Sequence, residues 1–135
     1  DYHCPKCRAQ VQRVAAKAEQ LERNDTAVVP ILPDSYEKAA DWQSEYDLPF
    51  PLLADPGGDV GDEYDQPRRF GALGRLHDLI GRMPKALLLD LRGDPEIVSA
   101  HEGETPADRP DIEGLLARVD EMRESFVFDC SLVEC

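Results

Sequence analysis

Apolar positions along the chain change period several times, and each change marks an element. Val11, Val14, Ala18 and Leu21 recur every three or four residues, the spacing of one helical face turned toward a core. Asn24-Asp25 ends that helix. Ala27-Val28-Val29-Pro30-Ile31-Leu32 follows, a continuous apolar run rich in β-branched residues, and predicts a buried strand with both faces covered. Pro33-Asp34-Ser35 reads as a turn, and Asp34 with Glu37 three positions on matches a capping box. The helix opened there reaches about Tyr46 and buries Ala39, Trp42 and Tyr46, with Trp42 as a core anchor. Leu48 to Ala54 predicts a second short strand, closed by Asp55-Pro56-Gly57-Gly58. Prolines near its start are tolerable because the first residues of a strand need not donate to a ladder.

Between Asp59 and Met83 the pattern weakens. Val60, Tyr64 and Pro67 suggest a short helix, Phe70 to Gly74 an irregular loop, and Leu76, Leu79 and Ile80 another helical turn. Lys85 to Asp90 is a clear strand, expected to be buried. Arg92-Gly93-Asp94-Pro95 turns the chain, and Glu96 to His101 returns as the partner strand. After a loop from Gly103 to Asp108, Ile112, Leu115, Leu116, Val119 and Met122 share one face of a last helix. Helices and strands thus alternate, which implies an α/β layered fold with a parallel sheet ended by an antiparallel hairpin. One domain over residues 1–124 is expected, with 125–135 as a tail carrying a second cysteine pair, Cys130 and Cys135.

Charge narrows the function. Twenty-eight acidic against fifteen basic residues give a formal −13, and only four of the basic residues are lysine. A nucleic acid or an anionic membrane would repel such a surface, so neither is an expected partner. An Asp-rich, Lys-poor surface on an ordinary apolar pattern predicts a protein adapted to high salt, where screening relieves self-repulsion. No apolar run approaches the length of about 18 residues that a membrane helix needs. A cytoplasmic setting is expected.

The candidate chemistry sits at the start, in Asp1-Tyr2-His3-Cys4-Pro5-Lys6-Cys7-Arg8. Pro5 suits the first turn of a helix, where its missing N–H is no loss. That places Cys4 at the N-cap and Cys7 one turn in. The free N–H groups and the positive end of the helix dipole then favour the Cys4 thiolate, the reactive form. Four lopsided cysteines do not make a disulfide-stapled scaffold; a Cys-x-x-Cys among alternating strands and helices reads as redox or metal chemistry.

Four segments, in order, resemble the thioredoxin superfamily, and within it the redoxin branch that includes the peroxiredoxins of the alkyl hydroperoxide reductase and thiol-specific antioxidant type. Cys4-Pro5-Lys6-Cys7-Arg8 opens a long helix, as the active-site cysteine does there. Leu48-Pro49-Phe50-Pro51-Leu52-Leu53-Ala54-Asp55-Pro56 is similar to that family's strand and turn. Met83-Pro84 resembles the cis-proline loop that faces the cysteines, and Asp90-Leu91-Arg92-Gly93 its hairpin. The resemblance implies a thioredoxin-like fold, a central mixed sheet with helices on both faces. It implies an antioxidant oxidoreductase in which Cys4 attacks a peroxide or disulfide and Cys7 resolves the product. Arg82 is the nearest match to the family's catalytic arginine, and Pro84 completes the set. No metal or organic cofactor is required; a protein or small-thiol reductant is the implied partner, and a homodimer is compatible with the family.

Two departures stand out. The family places a strand directly before the active-site cysteine, whereas this sequence holds only Asp1 to His3 there, so an N-terminal piece is expected to be missing. It also places threonine or serine three positions before that cysteine, where this chain has Asp1. Peroxide and disulfide substrates therefore both stay open. So do two other classes: a zinc module using Cys4, Cys7, Cys130 and Cys135, and a redox-inactive thioredoxin-like binding domain.

Overall fold

A computed structural model describes residues 3–68 and 82–132, with the backbone alone for 126–132. The irregular loop expected from Phe70 to Gly74 and the helical turn expected at Leu76, Leu79 and Ile80 lie outside the described residues. The order is α1 (Pro5–Ala15), α2 (Ala18–Arg23), β1 (Ile31–Leu32), α3 (Tyr36–Glu45), β2 (Leu53–Ala54), α4 (Asp59–Glu63), β3 (Lys85–Asp90), β4 (Glu96–Glu102) and α5 (Ile112–Leu132). This is the predicted alternation. The first helix is broken at Ala16–Lys17, so Val11 and Leu21 reach the core from two shorter helices.

The core gathers Val11, Leu32, Ala39, Trp42, Leu48, Phe50 and Leu52, with Cys7, Val14 and Ala18 packed against it. Trp42 is fully buried, as its spacing on α3 predicted. Arg8 reaches across from α1, its guanidinium 5.3 Å from the Trp42 ring centroid and within 2.9 Å of the Tyr46 hydroxyl. Cation–π attraction and this hydrogen bond fix the angle at which the cysteine-bearing helix meets α3. Helix α3 is capped by Ser35 rather than by Asp34: the Ser35 hydroxyl accepts from the Lys38 N–H. Asp34 lies instead beside the Lys38 ammonium.

Both early strands are shorter than their apolar runs. β1 pairs in parallel with β2 through Ile31↔Leu53 and Leu32↔Ala54. Proline accounts for much of the shortening, since Pro30, Pro33, Pro49 and Pro51 cannot donate to a ladder. The segment before β2 is held by a side chain. Gln43 Nε2 donates to the carbonyls of Leu48 and Phe50 at 2.9 and 3.0 Å, and its Oε1 accepts from the Leu52 N–H at 2.9 Å. Nor is β1 covered on both faces, because Val29 and Ile31 are exposed while Leu32 is buried.

β3 and β4 form an antiparallel hairpin with a bulge between Leu88 and Leu89. Leu88 is buried, whereas Leu89 and its cross-strand partner Ile97 face outward, so β3 is covered on one side only. Among the described residues the ladders form two separate two-stranded sheets, not the continuous central sheet expected. Helix α5 docks on the first helices through Lys17–Glu113 at 2.8 Å and Asn24–Asp120 at 2.7 Å, burying Leu116 and Val119. It continues without a break through Ser125, so residue 124 does not mark its end.

Candidate active site

Cys4 caps α1. Its backbone is extended, Pro5 takes the first helical position, and its sulfur accepts the Cys7 N–H at 3.2 Å. Proline explains the geometry: its ring sets the φ of a first helical residue and disfavours helical backbone for the residue before it. The Cys4 side chain is thereby turned back over the open N–H groups of the first turn. Three residues on, Cys7 lies on the side of α1 that meets the core and is half-buried.

A second chain segment closes on the two sulfurs. The Arg109 guanidinium, just before α5, places Nη2 3.1 Å from Cys7 Sγ and 4.0 Å from Cys4 Sγ, while Nη1 donates to Gln10 Oε1 at 2.8 Å. Gln10 follows Cys7 by one turn of α1, so Arg109 lies along that helix and contacts both residues. The preceding loop is built to deliver it. The Asp108 carboxylate accepts the Glu104 N–H and lies 3.1 Å from His101 Nε2, and the Thr105 hydroxyl accepts the N–H groups of Ala107 and Asp108. Gly103 allows the closure, since a Cβ there would stand 2.7 Å from the Asp108 carbonyl oxygen and 3.1 Å from the Pro84 ring.

These contacts split the two thiols. Burial pushes the Cys4 thiol up. The hydrogen bonds from the Cys7 thiol and backbone N–H, then the Arg109 charge, outweigh it, and the Cys4 pKa falls below the ordinary thiol value. Cys7 moves the other way: burial and the hydrogen bond it gives Cys4 raise its pKa, with Arg109 opposing. The arrangement favours a Cys4 thiolate beside a protonated Cys7.

The remaining expected residues are placed differently. Arg82 donates to the Gly58 carbonyl at 2.7 Å and to Asp62 at 2.9 Å, packed over Gly58 and Gly61, and so ties β3 to α4. Arg109, not Arg82, is the arginine at the sulfurs. No peptide bond among the described residues is cis, so Met83–Pro84 is trans and not the cis-proline turn implied by resemblance. Pro84 is buried, its carbonyl accepting the Gly103 N–H at 2.8 Å. It supports the loop that carries Arg109. Asp1 and Cys135 lie outside the described residues, as does the Cys130 side chain. Among the described residues no three His, Cys, Asp or Glu side chains converge as metal ligands, and no helix is long and apolar enough to cross a membrane.

Comparisons with known proteins agree with this architecture. The chain is similar to the peroxidoxin BcpB of Mycobacterium tuberculosis, at 20% identity and a TM-score of 0.72 over 90% of this chain and 73% of that one. It is also similar to a cysteine-to-serine mutant of peroxiredoxin Q from Xanthomonas campestris, at 14% identity and 0.66 over 91% and 73%. At these identities the likeness shows the fold, which is thioredoxin-like. No curated protein sequence matches significantly. The model of the AhpC/TSA family matches residues 1–93, and the chain therefore belongs to that family of thiol-based redox enzymes.

Proposed function

We propose that the protein is a dithiol peroxidase in which Cys4 is the nucleophile and Cys7 the resolving thiol. The observation that carries this reading is the Cys4 sulfur held by the Cys7 N–H at a helix start, with the Arg109 cation over both sulfurs. The Cys4 thiolate attacks the peroxide oxygen, the O–O bond breaks, and an alcohol or water leaves as Cys4 becomes a sulfenic acid. The Cys7 thiolate then attacks that sulfur, forming the Cys4–Cys7 disulfide as hydroxide leaves, which the displaced proton turns into water. A protein dithiol or two small thiols restore the dithiol. A cytoplasmic setting, where thiols are kept reduced, suits such a cycle. Arg82 and Pro84 serve at one remove, Arg82 by anchoring β3 on α4 and Pro84 by supporting the Arg109 loop. The Cys-x-x-Cys spacing favours a second reading, reduction of protein disulfides by the same pair.

The test is a peroxide-consumption assay beside an insulin-reduction assay, on wild type and Cys4→Ser. Peroxide turnover lost in Cys4→Ser supports the first reading, and insulin reduction alone replaces it with the second. Activity in neither assay leaves the redox-inactive binding domain.

A further inference from the structure

We propose that Arg109 is a catalytic residue of the resolving step: it activates Cys7 for attack on oxidised Cys4, and matters less for the first attack. This rests on the assignment of Cys4 as nucleophile and Cys7 as resolver made above.

The two sulfurs have unequal resources. Cys4 has a local source of thiolate stabilisation, the first-turn N–H groups, and holds the Cys7 N–H at 3.2 Å. Cys7 has given that N–H to Cys4 and sits inside the helix, half-buried against the core. Its sulfur needs a cation from elsewhere to ionise. Arg109 supplies such a cation, and the Cys4 charge opposes it. Arg109 is closer to Cys7, at 3.1 Å, than to Cys4, at 4.0 Å, and Gln10 holds its other nitrogen one turn beyond Cys7.

Oxidation of Cys4 sharpens this inequality. While Cys4 is a thiolate, its negative charge opposes ionisation of Cys7 and shares the Arg109 cation. Once Cys4 is a sulfenic acid or mixed disulfide, that charge is gone and Arg109 is left to Cys7. Arginine accepts no proton; the Cys7 proton passes to water, and the guanidinium stabilises the thiolate left behind. The same residue thus supports the dithiol at rest and releases the second nucleophile only after the first has reacted.

A disulfide probe separates the steps whatever the natural substrate. In full-length protein with Cys130 and Cys135 replaced by serine, dithiobis(nitrobenzoate) releases one coloured thiolate when Cys4 attacks. It releases a second when Cys7 displaces the thiol from the Cys4 mixed disulfide. Arg109→Gln is expected to slow the second release roughly tenfold or more and to move its pH profile upward, with the first changed by no more than about threefold. Arg109→Lys is expected to restore much of the second rate. Equal slowing of both releases, a larger effect on the first, or a second rate that Lys does not rescue overturns the proposal. Failure of wild type to consume peroxide would instead sink the peroxidase reading, and the two-release experiment would still decide the role of Arg109.

Discussion

Arg109 lies 102 residues from Cys7 in the sequence and 3.1 Å from its sulfur in the fold. The contact joins the start of α1 to the loop before α5 at one pair of thiols. The loop before it is closed by the Asp108 carboxylate, the Thr105 hydroxyl and the close approach at Gly103.

The first consequence is a difference in acidity. Cys4 is expected to be alkylated by iodoacetamide with a pH midpoint below the ordinary thiol value, and Cys7 with one above it, resolved by peptide mass spectrometry. Stability carries opposite signs for the two. Cys4, lowered by folding, contributes stability present above the unfolded thiol pKa and lost as pH falls through the folded one. Cys7, raised by folding, contributes stability present below the unfolded value and lost as pH rises toward the folded one. Indistinguishable midpoints would remove the division of roles.

A second prediction concerns the loop. Gly103→Ala forces a methyl against the Asp108 carbonyl and the Pro84 ring. It should cost about 1–3 kcal/mol, the usual range for overpacking. It should also slow Cys4–Cys7 disulfide formation more than Cys4 alkylation, because Arg109 shifts with the loop. Disulfide formation at the wild-type rate would show that the loop does not position the arginine.

Much of this was legible in the sequence, and the exceptions have physical causes. The N-cap at Cys4 was readable because Cys4, Pro5 and Cys7 are neighbours and their geometry is local. Trp42 announced itself by helical spacing. Arg109 gave no such signal: nothing within a few residues of it marks it as different from any arginine at a helix entry. The strands were overdrawn because apolar runs report burial, not pairing. In Leu48–Leu52 the burial comes from the core, while the backbone is satisfied by Gln43, a polar residue that the apolar pattern ignores. The expected cis-proline was carried by resemblance alone, and here the trans Pro84 supports a loop instead.

Gln43 therefore makes a third prediction. Gln43→Ala removes the partners of two carbonyls and one N–H in the segment leading into β2. A loss of about 2–4 kcal/mol is expected, measured by denaturant unfolding, because each partly buried group left without a partner pays its desolvation cost. A change below about 0.5 kcal/mol would mean that the loop repairs itself with water.

Salt provides the fourth. With a formal −13 on the chain, the melting temperature should rise as salt is taken from low to molar concentration, by screening of carboxylate repulsion. A flat or falling melting temperature would contradict a surface adapted to high salt.

The central claim is that one dithiol carries the redox cycle, with Cys4 attacking and Cys7 resolving. Peptide mapping after one equivalent of hydrogen peroxide tests it most directly. A single intramolecular Cys4–Cys7 disulfide is predicted in the wild type, with a trapped Cys4 sulfenic acid in Cys7→Ser and no oxidation at this pair in Cys4→Ser. Oxidation confined to Cys130 or Cys135, or a Cys4→Ser variant that still consumes peroxide at the wild-type rate, would contradict it.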